Sequence, residues 1–325
     1  MQGRGPDTRR WAVDGATGAT DRRRPVLVTG SHRSGSTFVG KMLAVHPGLG
    51  YIREPFGLHH RPGVLPVRFP YWFPYVCAEN EAPIRDPVGA MYRFRFRTGA
   101  ALKAVRSPRD LGLVVHDRRA FGAARRRGAR PLQKDPIAVF SAAWLADRFD
   151  AQVIVLIRHP AGFASSLMRY GWTHPFDHFL RQPLLMRDLL STYEDQVAAF
   201  ARTAPPIIDQ AILLWNLIHH TILGYRRDHT EWSFHRHEDI SADPVTRFGE
   251  MFSELGLPMG DRERAAIEAS TSDTNPSEST RAGTVRRSSK AAAASWRTRL
   301  SAEEIHRIRT GTEEVASAFY SDDDW

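Results

Sequence analysis

Cysteine is nearly absent: the 325 residues contain one, Cys77. A single thiol excludes an internal disulfide and any cysteine-based zinc site, and it gives no reason to expect an oxidising compartment. Long apolar runs are missing as well. None approaches the ~18 residues that a membrane span needs. Lysine is scarce, with only Lys41, Lys103, Lys134 and Lys290, so arginine carries nearly all of the positive charge. Residues 1–24 are polar and arginine-rich with no apolar h-region, unlike a secretory signal. The expectation is a disordered basic tail over 1–23 and a cytoplasmic chain.

What is present is ordinary for a folded domain: 42% hydrophobic and 25% charged residues, enough for a real core. The length suits one large domain or two of about 150 residues each. The net charge of +9 is compatible with nucleic acid, an anionic membrane surface or a small anionic ligand. An arginine excess also follows from a GC-rich genome, so charge alone does not choose among these.

Arg24 to Gly30 is a short apolar run ending in glycine, as a buried parallel strand reads. A glycine-containing turn follows, Gly30-Ser31-His32-Arg33-Ser34-Gly35-Ser36-Thr37. Phe38, Val39, Met42 and Leu43 then recur at helical spacing, and His46-Pro47 closes the segment. A second unit lies downstream. Pro136 to Phe149 is predicted to be an amphipathic helix, with Ile137, Phe140, Trp144 and Leu145 on one face. Val153 to Ile157 is the most continuous β-branched run in the chain. Pro160 is placed to start a helix reaching about Arg169. Strands alternating with helices predict an α/β fold, a doubly wound parallel sheet with helices on both faces. The intervening stretch 56–130, rich in aromatic residues, proline and arginine, is predicted to be an irregular insertion; its Tyr71-Trp72-Phe73-Pro74-Tyr75 run suits an acceptor wall or simple packing equally. Helices are predicted over 183–201 and 207–226. Trp232 to His237 is predicted to be a strand. A helix capped by Ser241 or Asp243 is expected over 243–255. Ser301 and Glu304 form a capping box for a last helix. Residues 271–295, without periodicity, are predicted to be a mobile loop in a single domain spanning 24–320.

The turn after the first strand carries the sharpest chemistry. Gly30-x4-Gly35 matches a phosphate-binding loop, except that Ser36-Thr37 follows where lysine is expected. The physical basis survives: consecutive backbone N–H groups at a helix N-terminus cradle an anion. Ser34, Ser36 and Thr37 add hydroxyls, and Arg33 adds a fixed charge. A kinase would normally require the missing lysine and a magnesium carboxylate.

His32-Arg33-Ser34-Gly35-Ser36-Thr37-Phe38 resembles the 5′-phosphosulfate loop of sulfotransferases that use 3′-phosphoadenosine 5′-phosphosulfate (PAPS). The likeness is nearest to the carbohydrate and tyrosylprotein branches. Arg53-Glu54-Pro55 is similar to the acidic motif that follows this loop there, and Lys134-Asp135-Pro136 to a Lys-Asp-Pro motif. Arg158, at a strand end, with Ser166 eight positions on, resembles the 3′-phosphate motif; Ser165 is the adjacent alternative. His237-Glu238-Asp239 resembles a strand-end motif of the family.

The resemblance implies a PAPS-dependent enzyme that releases 3′,5′-adenosine bisphosphate (PAP) and needs no metal. Two phosphate groups require two anion sites, and in a doubly wound sheet the ends of two strands share one crevice. Arg33, Ser34, Gly35, Ser36, Thr37 and Phe38 would hold one end of the nucleotide, and Arg158 with Ser166 the other. A cation at the bridging oxygen stabilises the charge that grows as the leaving group departs. Arg33 is the candidate, with Lys134 second. Glu54 is the candidate general base and Asp135 its runner-up. Arg287 and Ser288, with Ser289, are candidates by position for a late loop over the nucleotide. His235 and His237 share a strand face but lack an evident third ligand for a metal. The expected acceptor is a hydroxyl of a carbohydrate, glycolipid or small metabolite in a bacterial enzyme, with no nucleic-acid partner and no membrane span. The rival readings are a P-loop kinase and a basic nucleic-acid binder.

Overall fold

The computed structural model describes residues 24–272 and 293–325. The basic tail and Arg287, Ser288 and Ser289 lie outside the described residues. Five strands form one sheet: β1 (Val26–Gly30), β2 (Leu49–Arg53), β3 (Arg130–Lys134), β4 (Gln152–Ile157) and β5 (Ser233–Arg236). All pairings are parallel and the order is β2-β3-β1-β4-β5. The central strands are apolar along their whole length because both faces of the sheet are covered.

Alternation along each strand sorts its side chains between two cores. Val26 and Val28 of β1 join Ile154 and Leu156 of β4 on one face. Leu27 joins Val153, Val155 and Ile157 on the other. The first face is covered by α1 (Ser36–Leu43) and by three later helices. Between β2 and β3 lie α2 (Arg85–Tyr92), α3 (Thr98–Lys103) and α4 (Pro108–Arg126). The insertion at 56–130 is therefore about half helical rather than irregular. The sequence gives these helices little signal because α4 is exposed along most of its length and shows little apolar periodicity.

A 3-10 turn, Pro136–Ser141, precedes α5 (Ala142–Phe149). The expected single helix is thus tightened at its start, where Asp135 caps Ile137 N at 3.2 Å. Next come α6 (Pro160–Tyr170), α7 (Asp177–Leu180), α8 (Pro183–Asp188), α9 (Glu194–Thr203) and α10 (Ile207–Asp228). The helix expected over 183–201 is broken between α8 and α9. Leu190 N turns back onto Leu185 O at 3.2 Å, which tucks Leu190 completely into the core. After β5 come α11 (His237–Ala242), α12 (Pro244–Glu254) and α13 (Asp261–Thr271). Asp243, not Ser241, caps α12 by accepting from Thr246 N at 3.2 Å. The final helix, Ala302–Ala316, carries the Ser301–Glu304 capping box.

Chain direction across the sheet reverses beside β1. From β1 the chain crosses through α1 toward the β2 edge, and from β4 it crosses through α6 toward the β5 edge. Adjacent strands whose connections diverge leave a crevice beyond their C-terminal ends, the usual ligand position in such sheets. Gly30, at φ 125°, closes β1 against β4; a Cβ there would lie 2.1 Å from Leu156 O.

Buried histidines give the fold an acid sensitivity. His159 and His219 are 1% and 0% exposed, and burial lowers each imidazole from 6.5 to about 3. Unfolding restores the ordinary value, so at each of these two sites the unfolded chain binds a proton that the folded chain refuses. Stability should therefore be intact above pH 6.5 and fall as pH drops below it. The loss for the pair is about 3 kcal/mol per pH unit until pH nears 3. Urea titrations at pH 7 and 5.5 measure this. Equal midpoints would mean that these imidazoles protonate in place.

Candidate active site

All five strands deliver chemistry-bearing residues at their C-terminal ends. In sheet order these are Glu54 after β2, Lys134 closing β3, the 31–37 loop after β1, Arg158 after β4, and Glu238 after β5. Strand spacing of about 4.8 Å separates Glu54 from Arg158 by roughly 14 Å of sheet.

The loop is held by its own backbone. Ser34 Oγ donates to Ser31 O at 2.5 Å and Ser34 N to the same oxygen at 3.3 Å. The Ser34 hydroxyl proton thus shapes the turn. Arg33 takes φ 66° and Gly35 φ 84°, left-handed values that release the following N–H groups from strand geometry. At Gly35 a side chain has no room, since a Cβ would meet His237 Nδ1 at 2.8 Å. Gly35 O accepts from Phe38 N at 2.8 Å and Val39 N at 3.0 Å, which starts α1. The Phe38 ring packs edge-on against Phe248, with centroids 5.4 Å apart, so its side chain anchors the helix. Ser31 Oγ and Ser165 Oγ are buried with no hydrogen-bond partner. Buried hydroxyls in that condition suit a site that accepts a polar ligand.

Arg33 and Arg158 come together across the crevice. Arg158 Nη1 donates to Arg33 O, and Arg33 Nε donates to Ser166 Oγ at 2.9 Å. The Arg33 guanidinium lies 4.6 Å from the centre of the Tyr170 ring and 5.3 Å from that of Trp172. The side chain proposed for the bridging oxygen therefore sits with the Arg158–Ser166 group on α6. Of the two adjacent serines, Ser166 is the one in this group.

A second group forms at the ends of β2 and β3. Lys134 is completely buried, and its ammonium is paired with Glu54 Oε1 and donates to Thr37 Oγ1 at 3.2 Å. Burial lowers its pKa, and the Glu54 carboxylate opposes that shift. Glu54 adopts φ 44° and its N–H donates to Lys134 O at 2.8 Å, so the backbone turn aims the carboxylate back at the lysine. Its second oxygen lies 3.8 Å from Arg53 Nε, and the side chain is 30% exposed. Asp135 occupies a different position. It is fully buried, and its oxygens accept from Phe56 N at 2.8 Å and Ile137 N at 3.2 Å. Burial raises it to about 7. With both oxygens engaged it orients the segments bearing Glu54 and Lys134.

Gly40 sets the approach of the Lys134 stem to α1: a Cβ there would lie 2.7 Å from Lys134 Cγ and 3.1 Å from Tyr51 Cε2. Gly40→Ala should cost about 1–3 kcal/mol by overpacking and lower turnover by displacing the ammonium. Urea unfolding and steady-state kinetics measure both. Unchanged turnover would show that the stem simply moves aside.

The supports of Arg158 have no motif in the sequence. Trp215 Nε1 on α10 donates to Arg158 O at 2.9 Å. The next residue, His159, caps α6 by accepting from Ala161 N at 3.2 Å. Its ring stacks on Trp296 at 4.8 Å and meets Trp325 edge-on at 4.4 Å and Tyr320 at 4.8 Å. Glu238 ties in β5, accepting from His159 N at 3.1 Å and Tyr320 Oη at 3.0 Å. Trp215 reads as one more apolar residue of a buried helix. The C-terminal aromatics carry no spacing that announces them. His235 pairs with Glu254 at 3.3 Å, and no group of three or more His, Cys, Asp or Glu among the described residues could hold a metal ion.

Cations and hydroxyls thus line the C-terminal end of a doubly wound sheet, with a lysine–carboxylate pair at one end. The profile of the Sulfotransferase family matches residues 25–261, and the chain belongs to that family. It is a sulfuryl-transfer enzyme. Among solved structures it is similar to the sulfotransferase domain of the Synechococcus PCC 7002 olefin synthase. Identity there is 20%, with 92% of this chain and 96% of that one covered and a TM-score of 0.47. It is also similar to the sulfotransferase domain of the curacin biosynthetic pathway, at 15% identity, 91% and 97% coverage and a TM-score of 0.49. A third likeness is to mouse sulfotransferase SULT7A1 complexed with PAP, at 12% identity, 93% and 86% coverage and a TM-score of 0.47. No curated protein matches the sequence.

Proposed function

We propose that the enzyme transfers a sulfuryl group from PAPS to a hydroxyl of a carbohydrate, glycolipid or small metabolite. The observation that carries this reading is the pair of separate cationic groups on one sheet edge. Arg33, Arg158 and Ser166 gather at β1 and β4, and Lys134, Thr37 and Glu54 at β2 and β3. A donor with a phosphate at each end needs two such groups. When bound, PAPS supplies the activated sulfuryl group, and PAP is its product. The orphaned hydroxyls of Ser31 and Ser165 fit an anionic, hydrogen-bond-accepting ligand.

The residues divide the work by position. Arg158, Ser166 and Arg33 hold the 3′-phosphate end. Backbone N–H groups of 34–37 and the Ser36 hydroxyl hold the 5′ end. Lys134 and Thr37 face the sulfuryl oxygens, where a fixed cation counts most in the transition state. Glu54 takes the acceptor proton once the Lys134 ammonium has moved toward the donor's charge. No metal enters this scheme. Calorimetry with PAP, followed by transfer of radiolabelled sulfate from PAPS to a panel of hydroxylated metabolites, tests it. Tighter binding of ATP with magnesium than of PAP would overturn the proposal.

A further inference from the structure

The face of α3 and α4 turned away from the core is not explained by the reaction. Four of the six exposed large hydrophobic residues among the described residues lie on these two helices: Leu102 is 50% exposed, Leu111 46%, Leu113 42% and Val115 41%. The core does not need them. Val114, Phe121 and Ala124 form the inner stripe of α4, and Phe121 packs edge-on against Phe94. Leu111 and Val115 stand one turn apart on the outer side, with Arg118 and Arg119 on the next turn.

The same segment is strongly basic. Residues 98–127 contain eight Lys or Arg against two Asp. Both acids are committed: Asp110 accepts from Arg106 N at 3.0 Å, and Asp117 pairs with Arg61 at 3.3 Å. Lys103, Arg109, Arg118, Arg119, Arg125 and Arg126 are all exposed. No helix among the described residues is long and apolar enough to cross a membrane.

We propose that α3 and α4 form a docking surface for an anionic lipid bilayer. Leu111 and Val115 flanked by Arg118 and Arg119 on one side of α4 are the composition of a helix that lies in the headgroup layer. Its apolar side chains enter the acyl boundary while its cations meet lipid phosphates and carboxylates. A nucleic-acid surface would use the arginines but has no use for the leucines.

Placement gives the surface a consequence. Ala124 packs at the start of β2, where a Cβ on Gly50 would lie 3.1 Å from Ala124 Cβ, while Asp117 reaches Arg61, seven residues beyond Glu54. The helix therefore runs antiparallel to β2. Its first half, with Leu111 and Val115, lies toward the sheet edge that carries the catalytic row. Docking would hold that edge near the bilayer. This inference stands apart from the choice of donor and acceptor.

Co-sedimentation of the full chain with phosphatidylcholine vesicles, with and without phosphatidylserine, tests it. The protein should sediment with the anionic vesicles, remain in solution with the neutral ones, and be released by salt. Arg118→Glu combined with Arg119→Glu should weaken binding about thirtyfold or more. Leu111→Ser with Val115→Ser should weaken it about tenfold or more. Because these side chains lie outside the core, thermal unfolding of both variants should match the parent; if one pair fails to fold, the other still decides. Parent protein that stays in solution with anionic vesicles overturns the proposal. So do double variants that sediment like the parent. Duplex DNA that binds equally well with and without the leucines would identify a nucleic-acid surface instead.

Discussion

Arg158→Ala should weaken PAP binding by about 3 kcal/mol, roughly 150-fold, and leave binding of adenosine 5′-phosphosulfate, which lacks the 3′-phosphate, nearly unchanged. The magnitude is that of one forked, charge-assisted contact to phosphate. Two jobs of the residue have to be separated. Arg158 also donates to Arg33 O, so its loss loosens the loop that grips the other end of the nucleotide. Loosening the loop would weaken both ligands alike, whereas loss of a phosphate ligand weakens only the one that carries the 3′-phosphate. Calorimetry with the two ligands distinguishes these outcomes, and equal losses would reduce Arg158 to a support for the loop. Trp215 and His159 hold the backbone on either side in place. The variant therefore removes a side chain from a rigid frame.

Glu54→Gln should lower kcat about a hundred- to ten-thousand-fold while donor affinity stays within a few-fold of the parent. The substitution keeps the shape and removes the proton acceptor. It also removes the partner of a fully buried ammonium. Burial already depresses Lys134, and the Glu54 carboxylate is the largest opposing influence. With glutamine in place, Lys134 should titrate at lower pH, and turnover should fail further as it becomes neutral. Lys134→Ala is the complementary change: it should lose turnover without that pH dependence. Pre-steady-state transfer rates across pH, set against PAP affinity, measure both. Unchanged turnover in Glu54→Gln would remove it from proton transfer.

Much of this arrangement was legible in the residues. β1 and β4 read as continuous apolar runs because each is buried on both faces, and the chemistry sits where those runs end. Arg158 is legible as a charge that ends an apolar strand, whereas Glu54 and Lys134 stand out only through the family resemblance of Arg53-Glu54-Pro55 and Lys134-Asp135-Pro136. The order of the strands was not legible, since nothing local states that β3 lies between β1 and β2. Without that order the split into two cationic groups is invisible, as is the reach of the Arg33 side chain from its loop to Ser166 on α6. The Trp296–Tyr320–Trp325 cage around His159 was hidden because its members meet only in space. The Asp135 motif marks a carboxylate and does not say that two backbone N–H groups donate to it.

The register Gly30 to Leu156 between β1 and β4 makes the donor end of this enzyme a caliper. The gap between its jaws is fixed by peptide hydrogen bonds rather than by side chains, so no surface substitution can widen it. Substitutions in the chain between β2 and β3, which takes no part in this pairing, can therefore alter the surroundings of that edge without changing the β1–β4 register.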